Sequence, residues 1–165
     1  MTTPDPGTEP DPAKEPATPA VAAARARGLD VTVTRHGRVN SLAEAAAARG
    51  VQPRDIVKTM VVRRGEGDFL FVLVPGDAEI SWPKLRALLG VSRLSMPDAE
   101  TARAVTGYQR GTITPFGATT AWPVIADASI AGRRISMGGG AYGVALGLDA
   151  DAMLAALDAR VADIV

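Results

Sequence analysis

Four groups of residues in this chain have types and spacing that could support chemistry. The first is Lys58, inside the apolar run Ile56-Val-Lys-Thr-Met-Val-Val62. Three lysines stand against fifteen arginines, so a compact ammonium here invites a reason. Strand alternation puts it on the face opposite Val57 and Thr59. Lining a pocket, it could hold a phosphate or an ester carbonyl; on a sheet edge it would snorkel. The second group is Gly107-Tyr-Gln-Arg-Gly-Thr-Ile-Thr-Pro-Phe-Gly117, with three glycines and a proline in eleven residues. Neither helix nor regular strand suits it. Its glycines can bring bare N–H groups close to a ligand, and Pro115 stiffens the loop. Gly107, Tyr108, Gly111, Thr112, Thr114 and Phe116 complete the candidate set. The bland alternative is a tight helix-to-strand connection.

The third group, Gly138, Gly139 and Gly140, could form a second backbone-lined wall, or simply a bulge. It has neither the spacing nor the helix context of a dinucleotide or P-loop fingerprint. The fourth is His36, the single histidine, in a turn before a helix. It is a candidate substrate contact or a surface turn residue. Arg133-Arg134 reads as a solvated strand end, with phosphate contact as the lesser option. No cysteine is present, which removes thiol nucleophiles and cysteine-ligated zinc or iron–sulfur sites. One histidine also excludes a histidine-rich metal site, and that histidine lacks a recognisable nucleophile-elbow partner. No cofactor and no metal are expected.

These residues must be positioned by strands mixed with helices. An alanine-rich helix over residues 20–27 closes at Gly28, and a β-branched strand follows over 31–34. Ser41-Leu-Ala-Glu44 has capping-box spacing, and its helix ends at Gly50. The runs 56–62 and 69–74 flank a glycine-bearing turn and predict a hairpin. The second run is apolar on both faces and should be central. Ser81 starts a helix ending at Gly90, and Pro97-Asp98 opens another that delivers the chain to the loop at Gly107. Strands follow over 122–126, 133–137 and 144–148. Asp149 then caps a last helix with Met153, Leu154 and Leu157 as its stripe. The pattern predicts one α+β domain with a mixed, curved sheet.

The 165 residues suit one domain, and 47 % apolar content supports a globular core. Residues 1–19 hold six of twelve prolines and almost nothing apolar, so a disordered tail is expected there, with the domain over 20–165. The tail carries four acids against Lys14, leaving 17 basic and 14 acidic residues beyond it. That permits an RNA partner without demanding one. No apolar run reaches the ~20 residues of a membrane span, and no signal segment opens the chain. A cytoplasmic protein with no membrane partner is expected.

Several blocks together resemble the YbaK/EbsC family, relatives of the editing domain inserted in bacterial prolyl-tRNA synthetases. They are Ile-Val-Lys58-Thr-Met-Val-Val, Leu-Val-Pro75-Gly-Asp, Leu-Ser-Met-Pro-Asp, Thr106-Gly-Tyr-x-x-Gly111-x-x-x-Pro115-Phe-Gly117 and a final Gly-Gly-x-x-Gly-x-x-x-x-Leu. The likeness runs from about Ala20 to the C-terminus. It implies a compact domain with a half-barrel-like sheet surrounded by helices, hydrolysing the ester of mischarged aminoacyl-tRNA. The family's lysine maps onto Lys58 and its Gly-x-x-x-Pro loop onto Gly111 to Pro115. The implied substrate is the aminoacyl-tRNA 3′ end, such as tRNA-Pro carrying Cys or Ala, edited by a freestanding protein. A prolyl-tRNA synthetase is a further implied partner, and DNA is not one. One departure is Gly138-Gly-Gly-Ala-Tyr-Gly143 where the YbaK branch often has Ser-Gly-Gly-Lys-Arg-Gly. Two other classes remain open: a tRNA-binding module without turnover, and a regulatory protein binding a free amino acid or adenylate-like ligand.

Overall fold

The computed structural model describes residues 15–165. In chain order its strands are β1 (Thr32–Arg35), β2 (Ile56–Gly65), β3 (Asp68–Pro75), β4 (Val124–Asp127), β5 (Arg134–Gly138), β6 (Val144–Asp149) and β7 (Arg160–Ala162). Its helices are α1 (Pro19–Ala26), α2 (Leu42–Arg49), α3 (Trp82–Leu89), α4 (Ala99–Thr106) and α5 (Ala150–Ala156). Helix starts follow the capping residues. Ser41, Ser81, Asp98 and Asp149 each accept from the N–H three residues on, which satisfies a donor that the helix cannot. Glu44 reaches back one residue further than a standard box, accepting from Asn40 N at 2.7 Å. Helix α1 takes Pro19 as its first residue and Thr18 as its cap.

Of the tail expected from sequence, residues 1–14 lie outside the described residues. Residues 15–19 contact the domain. Glu15 pairs with Arg25, and the Thr18 hydroxyl donates to the Gly139 carbonyl at 2.7 Å.

The seven strands form one mixed sheet in the order β1-β6-β5-β2-β3-β4-β7. At its centre β2 and β3 form the expected antiparallel hairpin, with a register shift between Arg63 and Gly65. Strand β5 joins β2 in parallel on one side, and β4 joins β3 in parallel on the other. So β4 and β5, neighbours in sequence, are separated by the whole hairpin. The short edge strand β7, parallel to β4, was not foreseen. Among the described residues, no helix is long and apolar enough to cross a membrane.

Both faces of β3 are buried, as its unbroken apolar run predicts. Phe69, Phe71 and Leu73 share one core with Val57 and Val61, Val21 of α1, Ala102 of α4 and Met153 of α5. Leu70, Val72 and Val74 share the other with Val62 and Leu85 of α3. Ile56 lies on that second side, against Ala45 and Ala46 of α2.

Strand β2 is unevenly partnered, and that creates the site. Its register with β5 covers Ile56 and Val57 alone. Further along, Arg63 exchanges both backbone hydrogen bonds with Ser95. Between those two contacts the outer edge of β2 is open. Gly76 N donates to Ile56 O, so antiparallel alternation commits the peptide groups of Lys58, Met60 and Val62 to β3. Those of Thr59 and Val61 point outward, into the gap.

Candidate active site

The gap is a cleft of about 460 Å³. One wall is the open edge of β2. Gly138 at the end of β5 forms its floor, and Arg110, Gly111 and Ile113 form the facing loop. Met96, Pro97, Asp98 and Ala99 at the start of α4 close the remaining side. Three cations, Arg49, Lys58 and Arg110, line it with one carboxylate, Asp98. Such a balance suits an anionic ligand that carries one positive group.

Lys58 is half-buried on the α2/α3 face of the sheet, opposite Val57 and Thr59 as alternation requires. Its Nζ donates to the Ala78 carbonyl at 2.6 Å. That carbonyl uses one of the ammonium's three donors and holds the head group beside Ala78, which is not itself among the cleft-lining residues. Thr59 points the other way, and its hydroxyl is buried with no partner among the described residues. Asp98 caps α4, and its carboxyl is held below the usual range by the backbone N–H of Thr101, then by the Thr101 side chain. It therefore stays ionised under mildly acidic conditions.

The loop from Gly107 to Gly117 is built by its own buried side chains. Tyr108 and Phe116 are buried, and the Tyr108 hydroxyl donates to the Phe116 carbonyl at 2.7 Å. Thr112 Oγ1 donates to Gln109 O at 2.8 Å, and Thr114 Oγ1 accepts from Phe116 N at 3.4 Å. Thr112, Thr114 and Pro115 thus lie beneath the loop surface. Gly111, at φ +89°, stands on that surface and lines the cleft. The N–H groups of Gly111, Ile113 and Thr114 have no acceptor among the described residues.

Of the residues singled out from sequence, Lys58, Gly111 and Gly138 meet at the cleft. A Cβ at Gly138 would stand 3.3 Å from the Ile113 carbonyl, so loop and β5 end are in near contact. Gly139 and Gly140 lie behind, packed on Val144, and on Tyr108 and Ala20. Gly107 packs against Thr119. His36 is not among the residues lining the cleft; its Nδ1 is 2.8 Å from the Gly37 carbonyl, and its Nε2 is buried without a partner among the described residues. Sequence reasoning missed Arg49, Thr59, Asp98 and Arg110. Asp98 was visible only as a helix cap, and Thr59 only as the neighbour of Lys58. Among the described residues no cluster of His, Cys, Asp or Glu could hold a metal.

A family model described as the aminoacyl-tRNA editing domain matches residues 36–156. The proline–tRNA ligase of Pelobacter propionicus is 29% identical over 114 residues, 69% of this chain and 20% of that enzyme. The proline–tRNA ligase of Desulfovibrio desulfuricans is 38% identical over 93 residues, 56% of this chain and 16% of that enzyme. The chain thus spans about a fifth or less of these ligases. Hypothetical protein APE2540 has a crystal structure that superposes with a TM-score of 0.81 at 27% identity, covering 89% of this chain and 99% of that one. A protein proposed as a trans-editing enzyme for prolyl tRNA synthetase superposes with a TM-score of 0.80 at 28% identity, covering 88% and 94%. The family match takes in β2, the glycine loop and the end of β5, every wall of the cleft. The chain belongs to the aminoacyl-tRNA editing domain family.

Proposed function

We propose that this protein hydrolyses the ester of mischarged aminoacyl-tRNA in trans, with tRNA-Pro carrying a small wrong residue such as Cys or Ala as substrate. The observation that carries this reading is the pair of N–H groups at Gly111 and Ile113, without acceptors among the described residues, on the loop that lines a cleft also holding Lys58. Preorganised donors of this kind stabilise a developing oxyanion, at about 2.7–4 kcal/mol for one donor in a known case. Lys58 anchors the terminal phosphate or the ester carbonyl. Asp98 faces the α-ammonium of the aminoacyl group, the one positive centre on the substrate.

Among the described residues no cysteine, serine or histidine lines the cleft, and the Thr59 hydroxyl that does has no hydrogen-bonded base to activate it, so the nucleophile is water. Its oxygen adds to the ester carbonyl carbon while the neighbouring ribose hydroxyl relays a proton, accepting one from the water and passing its own to the esterified ribose oxygen. The carbon–oxygen ester bond then breaks, and the ribose oxygen leaves protonated. The products are free amino acid and tRNA with an intact 3′ end. The family membership and the likeness to proline–tRNA ligases support tRNA-Pro and a prolyl-tRNA synthetase as partners.

A deacylation screen over mischarged tRNAs, run with Lys58→Ala, tests this reading. The wild type should release amino acid from a small set of substrates, and Lys58→Ala should lose about 100-fold or more, ~2.7 kcal/mol of barrier. Lys58→Arg should rescue poorly, since a planar fork does not replace a compact ammonium. Were Lys58 only a tie to the Ala78 carbonyl, the alanine variant would lose stability and keep its turnover. Binding of tRNA without release by the wild type would overturn hydrolysis and leave a recognition module.

A further inference from the structure

Arg49 is a half-buried cation without a counter-charge among the described residues. It is the last residue of α2, where a basic side chain usually lies in solvent beside the helix C-terminus. Here its guanidinium turns onto the sheet. Nη1 donates to Ser136 Oγ at 3.4 Å, and Nε is buried with no partner among the described residues. No carboxylate among them lies within ion-pair distance. Burial accordingly pulls its pKa below the ordinary arginine value. Arg25, Arg64, Arg133 and Lys84, by contrast, each have an acid. A guanidinium offers five N–H donors in a fixed fork that matches phosphate, and leaving its Nε buried without an acceptor is costly.

Arg49 also lines two cavities. One is the cleft. The other, of about 480 Å³, is walled by Thr32, Thr34, Arg134, Ser136 and Gly147 among others. Its carboxylate, Asp55, is already engaged, 3.6 Å from Arg133 and accepting from Gln52 N at 3.4 Å. Two arginines therefore face it against one committed acid. The sheet register makes the path continuous. Ser136, which holds Arg49, is the β5 partner of Ile56, and Lys58 is the next residue on that face, about 7 Å along the strand. Such a step is comparable with one nucleotide of extended chain.

We propose that the second cavity is a subsite for single-stranded RNA, in which Arg49 holds the phosphodiester one nucleotide upstream of the esterified terminus. This rests on the reading that the cleft receives an RNA 3′ end. Arg49 is then a positioning residue that sets how far the terminus enters, and it takes no part in bond breaking.

The probe is a short single-stranded RNA with the uncharged tRNA 3′ sequence, made with either a normal or an uncharged methylphosphonate linkage at that one phosphodiester. Its binding to the full chain is measured against salt for wild type, Arg49→Met and Arg49→Lys, with melting temperatures as a folding control. Wild type should lose about tenfold in affinity on the neutral linkage, and Arg49→Met should not distinguish the two RNAs. The salt slope of Arg49→Met should fall by about 0.7, the single-strand value for one phosphate contact. Arg49→Lys should keep the slope, and it keeps the test alive if the methionine variant does not fold. Equal loss on the neutral linkage in wild type and both variants overturns the proposal. Competition by inorganic phosphate without discrimination between the RNAs also overturns it, as a generic anion site. Coupling between Arg49 and the linkage without any deacylation would uphold the subsite and sink the hydrolase reading; deacylation without coupling does the reverse.

Discussion

The two glycine-rich segments, residues 107–117 and 138–143, adjoin the same cleft, but Gly111 in the first and Gly139 in the second answer to different constraints. At Gly139 an added Cβ would lie 2.7 Å from Val144 Cγ1 and 2.9 Å from the Val144 carbonyl; at Gly140 it would meet the Tyr108 ring at 2.9 Å. Gly111 has open space, with only Tyr142 Cε1 at 3.7 Å, yet its φ of +89° still excludes a comfortable side chain. At Gly139 and Gly140, as at Gly107 and Gly117 of the other segment, glycine is required because neighbours are too close. Gly111 is required by its backbone conformation alone. Similar sequence therefore hides a packing constraint at one glycine and a conformational one at another.

Substitutions can break this contrast, and the largest effect is expected at Gly139. Gly139→Ala forces the chain off Val144 and should cost about 3 kcal/mol, the upper range for overpacking, or roughly 6–12 °C in Tm for a domain of this size. Turnover per folded molecule should hold; a fall in turnover at unchanged Tm would make Gly139 a substrate contact after all. Gly111→Ala should show the opposite profile. Its strain is about 1–2 kcal/mol, while single-turnover deacylation should drop at least about tenfold, ~1.4 kcal/mol of barrier. Wild-type turnover in that variant would remove the loop from the mechanism. Tyr142→Ala sharpens the contrast with the smallest effect. Tyr142 is 71% exposed and its hydroxyl donates to Arg110 O at 3.3 Å, so it braces one segment against the other. Stability should stay within about 0.5 kcal/mol, and turnover should fall only about twofold to threefold as the loop loosens.

Local signals in the sequence were enough for most elements, because the physics that sets them is local. Ser41, Ser81, Asp98 and Asp149 cap the helices that they announce, and Gly50 and Gly90 close theirs in the left-handed conformation. The apolar run of β3 identified the sheet centre. The strand order was not legible, since nothing near Val124 or Arg134 states that a hairpin from residues 56–75 will come between them. Strand β7 escaped for a related reason. Arg160-Val-Ala is too short to alternate and depends on the edge that β4 supplies. Lys58, Gly111 and Gly138 could be picked out because residue type betrays them. Arg49 could not, because in an alanine-rich helix it looks like any last-turn cation until the register brings Ser136 beneath it.

The open edge of β2 gives that strand two kinds of amide. Met60 and Val62 are locked into the ladder with β3, so their hydrogens exchange with solvent only when the centre of the sheet opens. The N–H groups of Thr59 and Val61, one residue away on the same strand, have no such lock. A single strand thus carries its own internal clock: slow amides that time the unfolding of the core, alternating with fast ones that slow down when something fills the cleft.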